Sequence, residues 1–255
     1  MMMSFFVRAV LTLVSAAAGS QIVGGAEVMP PFKYGFMASL LKYGDHFCGG
    51  THLASGTIVT AAHCTYDKDK YFEILLHRHD FNKAEADEGA LRFPVKSRLV
   101  HPNFVAETYQ NDIAIWRFDG GPNPPKVLLD DGSLSNSVGT KLTVAGWGYT
   151  KPGGEKSHRL METHVPVYNP SQCVADQLKR KDKVFLDVQF CAGFPEGGHD
   201  ACQSDSGGPI FSLQGHVPVL VGVVSWGNEC AEKHLPGVYT KVSAFLPWLK
   251  SQISF

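Results

Sequence analysis

Residues 200–209 read Asp200-Ala201-Cys202-Gln203-Ser204-Asp205-Ser206-Gly207-Gly208-Pro209, and no other stretch of the chain is as informative. Ser206 stands here between an acidic residue and a Gly-Gly-Pro sequence. A serine hydroxyl is a weak nucleophile at neutral pH, and it becomes reactive only beside a base that a third group orients. The run therefore indicates that a histidine and a carboxylate lie elsewhere in the chain.

Two further segments supply these partners, Thr60-Ala61-Ala62-His63-Cys64 and Asn111-Asp112-Ile113-Ala114-Ile115. His63 can accept the Ser206 proton, and Asp112 can hold the other imidazole nitrogen and stabilise the imidazolium. Taken singly, the three residues are also consistent with a core histidine, a turn aspartate and a loop serine. Together, in the order His, Asp, Ser, they predict a catalytic triad that only the fold can assemble.

Length and composition restrict the class of protein. The chain has 255 residues, 44% of them hydrophobic, which suits one large all-β unit or two small domains. The formal net charge is −1. A balanced charge does not favour nucleic acid or an anionic membrane surface as a partner.

Residues 1–20 have the pattern of a secretory signal. Arg8 supplies the positive region, and Ala9 to Ala18 form an apolar run too short to span a bilayer, which needs about 20 residues. Cleavage after Ala18 or Ser20 would leave a very short propeptide that ends at Gln21. The alternative is a buried N-terminal strand. The pattern predicts an extracellular product.

Six cysteines follow the signal, and an even number in a secreted chain predicts three disulfides. All 15 pairings of six cysteines remain open from the sequence alone. A zinc site is the alternative, but no Cys-x-x-Cys pair is present. The cysteines are Cys48, Cys64, Cys173, Cys191, Cys202 and Cys230.

Short runs rich in Val, Ile, Thr and aromatic residues alternate with turn signals, which predicts an all-β fold of the barrel or sandwich type. The clearest of them are Gly56–Ala61, Phe72–Leu76, Asp112–Phe118, Lys141–Ala145 and Val217–Trp226. Residues 119–125 read Asp-Gly-Gly-Pro-Asn-Pro-Pro, which predicts a linker near the middle. One helix is predicted, from Val242 to about Gln252, where apolar residues recur at helical spacing.

The chain resembles the chymotrypsin/trypsin-type serine endopeptidases, and trypsins most of all, over nearly all of residues 22–255. The motifs that carry the resemblance include Ile22-Val23-Gly24-Gly25, Cys48-Gly49-Gly50, the two triad segments, Gly146-Trp147-Gly148, Asp205 to Pro209, Ser225-Trp226-Gly227 and Pro236-Gly237-Val238-Tyr239.

The resemblance implies two packed antiparallel β-barrels with a C-terminal helix and an active site in the crevice between the barrels. The N-terminal barrel would cover about 22–120, the C-terminal barrel about 126–241 and the helix about 242–252. The implied disulfides are Cys48–Cys64, Cys173–Cys191 and Cys202–Cys230.

The resemblance also implies the substrate site. Asp200, six residues before the nucleophile, would form the floor of a pocket for a substrate Arg or Lys. Ala201 stands beside it, where many relatives have a serine. Gly227 and Gly237 would line the pocket walls, and Ser225, Trp226 and Gly227 would pair with an extended substrate backbone.

The resemblance also implies how the enzyme is activated and which groups form the oxyanion hole. A new N-terminal ammonium at Ile22 would pair with Asp205. Gln21 departs from the Lys or Arg of trypsinogen-like zymogens, which argues against self-activation. The backbone N–H groups of Ser204 and Ser206 would form the oxyanion hole, but Ser204 occupies a position that is usually glycine.

The sequence thus predicts a secreted serine endopeptidase that cleaves after Arg or Lys through an acyl-enzyme. No cofactor and no metal are implied, and the acidic residues Glu85, Asp87 and Glu88 match a calcium loop poorly. The implied partners are polypeptide substrates and proteinaceous inhibitors, with no nucleic acid or membrane partner, and the chain is expected to be monomeric. The alternative is a catalytically attenuated homologue that acts as a protein-binding module.

Overall fold

The computed structural model describes residues 25–65, 71–149, 154–199, 201, 204–227 and 232–253. Seven strands from the first half of the chain form one antiparallel sheet in the order β6-β5-β2-β3-β4-β8-β7. These strands are β2 (Met37–Lys42), β3 (Asp45–Ala54), β4 (Thr57–Thr60), β5 (Phe72–Leu76), β6 (Leu91–Pro94), β7 (Ser97–Val100) and β8 (Ala114–Arg117).

A second sheet has eight strands in the order β1-β11-β10-β13-β14-β15-β12, with β9 paired to β14. Its pairings are antiparallel except for that of β9 with β14, which is parallel. The strands are β1 (Ala26–Glu27), β9 (Leu128–Leu129), β10 (Lys141–Gly146), β11 (Met161–Pro166), β12 (Gln189–Ala192), β13 (Pro209–Gln214), β14 (Val217–Trp226) and β15 (Gly237–Lys241). The fold is all-β, with two packed antiparallel β-barrels and a C-terminal helix, as the sequence predicts.

The strands follow from local sequence. All five strand runs named above contain a strand, because β-branched and aromatic residues pack well on a pleated, half-buried surface. The β2–β3 hairpin turns at Tyr43 and Gly44, whose φ angles of 53° and 88° give the positive-φ pair that a tight hairpin needs. No strand or helix interrupts the chain between Arg117 and Leu128, where the Pro- and Gly-rich linker was predicted.

One hydrophobic cluster extends across both barrels. Phe211 on β13 contacts Tyr34 and Phe36 edge-on, with ring centroids 4.9 Å and 5.1 Å apart, so aromatic rings join the two halves. Trp116 and Trp147 are almost fully buried in the same cluster. Aromatic pairs of this geometry add about 0.5–1.5 kcal/mol each to simple burial.

Two of the three implied disulfides are confirmed, Cys48–Cys64 and Cys173–Cys191. Cys202 and Cys230 lie outside the described residues. The Cys48–Cys64 bond joins β3 to the segment after β4, and Cys173–Cys191 joins a helix to β12.

Helices are few, but the prediction of a single helix was wrong. Three α-helices are present among the described residues: α1 (Glu85–Glu88), α2 (Pro170–Leu178) and α3 (Leu246–Gln252), the last preceded by a 3-10 turn at Val242–Phe245. Asn169 caps α2 by accepting a hydrogen bond from the Gln172 N–H, and Pro170 takes the first helical position, which suits proline. None of these helices is long and apolar enough to cross a membrane.

The first strand and the last helix of the described chain each contact the half of the fold that is distant in sequence. Strand β1 pairs with β11 in the second sheet. At the other end, Phe245 and Trp248 place their rings 5.0 Å and 4.9 Å from His101, which follows β7, and Arg117 on β8 donates to the Gln252 carbonyl. The two barrels are therefore connected by β1 and α3 as well as by their interface.

Two histidines of β3, His46 and His52, are buried, with 8% and 1% of their surface exposed. Burial lowers the pKa of each imidazole from its ordinary value of 6.5 to about 4. Lys156, which donates to the His46 carbonyl, lowers the His46 pKa further. Both side chains are therefore neutral in the folded protein at pH values well above 4.

We expect the free energy of unfolding to fall by about 2 kcal/mol per histidine between about pH 7 and pH 5. In this range the histidines of the unfolded chain take up protons, whereas those of the folded chain do so only near pH 4. Lowering the pH therefore favours the unfolded state. The contribution to stability is fully present again once the pH rises above the ordinary histidine pKa of 6.5. Urea denaturation at the two pH values measures the effect. His52→Leu should reduce the difference in stability between the two pH values by about 2 kcal/mol, and an unchanged difference would contradict this assignment.

Candidate active site

Asp112 is the centre of the candidate site. It lies just before β8 and is fully buried. Its Oδ1 accepts the His63 backbone N–H at 2.8 Å, and its Oδ2 lies 2.8 Å from His63 Nδ1. Two residues of the other barrel also donate: Ser225 Oγ to Oδ2 at 2.6 Å and Thr240 Oγ1 to the Asp112 carbonyl at 2.8 Å. The carboxylate is thus held by donors from both barrels.

His63 is fixed in orientation by these contacts. Because Nδ1 faces the carboxylate, Nδ1 carries the proton, and Nε2 keeps a lone pair that can accept one. The imidazole packs beside the Cys48–Cys64 disulfide, with Nε2 3.7 Å from Cys64 Sγ, and meets the Tyr109 ring edge-on at 5.4 Å. The ring is partly exposed, which the predicted role of His63 as a base requires.

Ser206 lies on a loop that is held between the two sheets. Its carbonyl accepts the Gly49 N–H of β3 at 2.8 Å, and the Gly207 N–H donates to Val224 of β14 at 2.8 Å. Gly207 has φ of 77°, and a Cβ there would lie 2.2 Å from Thr60 Oγ1, so only glycine fits. These contacts bring the loop against the end of β4, three residues before His63.

The predicted contact between Ser206 and His63 is incomplete. Within the described residues, no hydrogen bond of 3.5 Å or less joins Ser206 Oγ to His63 Nε2. Such bonds are often long without substrate and shorten when the substrate binds.

Ser204 has a backbone conformation that is unusual for a residue with a side chain. Its φ is 70°, in the left-handed region where a side chain costs about 1–2 kcal/mol. Its carbonyl lies 3.1 Å from His46 Nε2, and Ser39 Oγ lies 2.8 Å from His46 Nδ1. The neutral tautomer that satisfies both contacts has the Nε2–H donating to Ser204 and Nδ1 accepting from Ser39. His46 and Ser39 therefore support the loop, and nothing in the sequence distinguished them from ordinary strand residues.

Asp205 points away from solvent, with 1% of its surface exposed. Its Oδ1 accepts the Gly148 N–H at 2.8 Å. A Cβ at Gly146 or Gly148 would lie within 2.6 Å of this carboxylate, so the Gly-Trp-Gly segment leaves room for it. Ile22, the expected partner of Asp205, lies outside the described residues.

The predicted substrate-binding residues lie at the ends of β14 and β15. Ser225 and Trp226 end β14, where the pairing with β15 shifts between Val224 and Trp226. A Cβ at Gly227 would lie 3.9 Å from the Gly237 Cα, so these two glycines face each other. Ala201 packs at the edge of the second barrel core, and Asp200 lies outside the described residues.

A polar pocket of about 390 Å³ is lined in part by Tyr109, whose ring meets His63. Trp226 and Gly227 form one side of it, and residues 181–183 form another. Among the residues that line this pocket, only Trp226 and Gly227 were predicted from the sequence. Nothing in the sequence indicated Tyr109, because only the folded chain brings its ring next to His63.

The possible metal ligands have other partners. Cys48, His63 and Cys64 place ligand atoms within 4.8 Å of one another, but both sulfurs belong to a disulfide and are not thiolates. Glu88, from the acidic segment compared with a calcium loop, is buried. Its carboxylate accepts N–H groups from Arg78, His79 and Asp80 at 2.9–3.1 Å.

Comparison with known proteins agrees with this geometry. The trypsin family model matches residues 22–249. Trypsin-1 of Astacus astacus is 33% identical over 241 residues, which are 90% of this chain and 99% of that protein. A venom protease of Bombus pensylvanicus is 36% identical over 208 residues, covering 78% and 82%. Coagulation factor XII of Cavia porcellus is 35% identical over 246 residues, 91% of this chain but only 40% of that protein. This chain belongs to the trypsin family of chymotrypsin-type serine proteases.

Proposed function

We propose that this chain is a secreted, monomeric endopeptidase that hydrolyses peptide bonds after Arg or Lys through an acyl-enzyme intermediate. The observation that carries the proposal is the buried Asp112 carboxylate, which orients His63 next to the loop of Ser206. Secretion rests on the signal pattern of residues 1–20 and on the disulfides, which persist in oxidising compartments.

In the first half of the reaction, Ser206 Oγ attacks the carbonyl carbon of the scissile bond while His63 Nε2 takes the Oγ proton. Asp112 stabilises the imidazolium that results. The tetrahedral intermediate collapses as His63 donates this proton to the leaving amine, so the C–N bond breaks and an ester to Ser206 remains. In the second half, His63 activates a water molecule, which hydrolyses the ester and restores the serine.

The negative charge on the carbonyl oxygen would be stabilised by the backbone N–H groups of Ser204 and Ser206. One such donor is worth about 10²–10³ in kcat. The contact from His46 to the Ser204 carbonyl supports this role, because it holds the loop from which both donors project.

Specificity is assigned to Asp200. A carboxylate at the base of a pocket needs a cationic partner, and a substrate Arg or Lys supplies one. The facing pair Gly227 and Gly237 supports this assignment, since their lack of side chains leaves width for a long side chain. Ala201 offers no hydroxyl, so Arg, with its forked guanidinium, should lose less than Lys.

Substrate backbone would pair along residues 225–227, at the C-terminal end of β14, and proteinaceous inhibitors would use the same edge. Activation is assigned to Ile22, whose new ammonium would pair with the buried Asp205. An ammonium placed beside a buried carboxylate offsets part of the cost of removing that charge from water.

The chain beginning at Ile22 should cleave Arg and Lys reporter peptides much faster than a Phe peptide, and a sulfonyl fluoride should label it. Ser206→Ala should abolish labelling and nearly all turnover, whereas Ser251→Ala, at an exposed serine of α3, should change neither. The same chain with Gln21 retained should be nearly inactive, because its ammonium is displaced. Persistent labelling of the Ser206→Ala variant would place the nucleophile elsewhere.

Asp200→Ser should lower kcat/KM for Arg substrates by about 10²–10³, since the bound cation loses its buried partner. The value of kcat/KM for the Phe substrate should change far less, because Phe makes no ion pair. Asp87→Ser, at an exposed aspartate, serves as the matched control. Equal losses for Arg and Phe peptides would show that Asp200 is structural and would refute the assigned specificity.

Ser204→Gly tests whether the unusual residue weakens the oxyanion hole. Glycine adopts a positive φ without steric strain, so we expect the free energy of unfolding to rise by about 1 kcal/mol. We expect kcat to rise modestly, by less than the 10²–10³ that one oxyanion-hole donor is worth. Ser204→Ala keeps the Cβ and should give neither gain. A rise in kcat close to the ceiling would instead favour the attenuated, protein-binding homologue.

A further inference from the structure

A second cavity lies where the linker, the end of β3 and the C-terminal helix meet. We name it the linker groove; residues 53–55, residues 123–129, Asp131, Leu246 and Lys250 line it. It shares no residue with the pocket beside His63. Its volume of about 670 Å³ falls within the range of about 300–1,000 Å³ that is usual for small-molecule sites.

The floor and walls of the linker groove are apolar and rigid. Leu53 and Val127 are buried, and Leu128 is 38% exposed. Leu128 and Leu129 are held in β9 by parallel pairing with Val219 and Leu220 of β14. Two consecutive prolines, at positions 124 and 125, restrict the linker further. A groove of this kind exists before any ligand binds, which lowers the entropic cost of binding.

The rim of the groove carries an excess of positive charge. Lys126 and Lys250 are both exposed, and within the described ranges neither ammonium has a carboxylate within 4.0 Å. The rim has one acid, Asp131, whose Oδ1 accepts the Ser133 N–H. This local excess contrasts with the formal net charge of −1 for the whole chain.

Apolar and cationic parts of the groove are adjacent. Leu246 and Lys250 are four residues apart in α3, so their side chains lie on one face of the helix. On the linker, Lys126 directly precedes the buried Val127. A ligand with a hydrocarbon tail along the leucines would therefore bring an anionic head group to a lysine.

From this arrangement we propose that the linker groove binds a single anionic amphiphile, such as a free medium-chain fatty acid, independently of peptide hydrolysis. The apolar floor takes the tail by the hydrophobic effect, and Lys126 and Lys250 pair with the carboxylate. The volume suits one small molecule, whereas a protein partner needs a far larger surface.

The test uses decanoate as the probe, below its micelle concentration, and the whole mature chain with its active site blocked by phenylmethylsulfonyl fluoride. Calorimetric titration should give one site with a submillimolar dissociation constant, as expected for a ligand of about twelve non-hydrogen atoms. Decanol and decyltrimethylammonium should bind at least about fivefold more weakly, since they lack the anionic group. Amide NMR shifts should concentrate at residues 124–129 and 246–250.

Two matched pairs of variants locate the site. Lys250→Glu should raise the dissociation constant at least about fivefold, whereas Lys83→Glu, the same change at an exposed lysine outside the groove, should leave it within twofold. Leu128→Asp should abolish binding, whereas Leu213→Asp, at a leucine of β13 with 41% exposure, should not. All four positions are exposed at the surface, so the variants should fold, and their denaturation curves check this.

Three results would overturn the proposal. They are equal affinity for decanol or decyltrimethylammonium, equal effects of the groove variants and their controls, and binding to anionic lipid vesicles without binding to free decanoate. Absence of binding by 10 mM decanoate, roughly an order of magnitude above the expected constant, would also overturn it.

Discussion

A carboxylate in a protein interior is unfavourable unless hydrogen-bond donors surround it, and Asp112 meets this requirement only through the whole fold. Its donors are His63 from the first barrel and Ser225 from the second, while Thr240 of the second barrel holds its backbone. Ser225 and Thr240 are 113 and 128 residues away in the chain. The charge is therefore satisfied only when the two barrels pack in one relative position. That same position presents His63 to the serine loop, so the stability of the interface and the geometry of the site have a common cause.

The serine loop shows a second aspect of this coupling. It is held by β3 on one side and β14 on the other, with no room for a side chain at Gly207. Such tight enclosure can maintain a strained residue, because the surrounding contacts cost more to break than the strain releases. Ser204, at φ of 70°, is the strained residue, and the neutral His46 secures it through its carbonyl. The strain lies at a residue proposed to form the oxyanion hole, at the position where the sequence departs from the family pattern.

Features encoded in short stretches of sequence were predictable, and features that depend on long-range packing were not. The strand runs, the linker and the C-terminal helix follow from local pattern, and two disulfide pairings followed from the family resemblance. Helix α2 was missed, because its buried face includes the polar residues Asp176 and Gln177 and so lacks a clear apolar stripe, although Asn169-Pro170 is a recognisable helix start. The support of the serine loop by Ser39 and His46, and the contact of Tyr109 with His63, arise only from tertiary packing. So does the pairing of β1 with a sheet built from the other half of the chain.

That pairing has a counterpart in α3, which packs against His101 and Arg117 of the first barrel. During synthesis the first barrel leaves the ribosome early, but the helix that covers His101 is made after the strands of both barrels, and β1 must wait for β11. Neither half can reach its final form as an independent nascent domain, although domains commonly fold from the N-terminus as they emerge. The growing chain must keep apolar surface uncovered until α3 has been made. A protease of this design therefore depends on the folding environment of its own production for longer than its two-barrel architecture suggests.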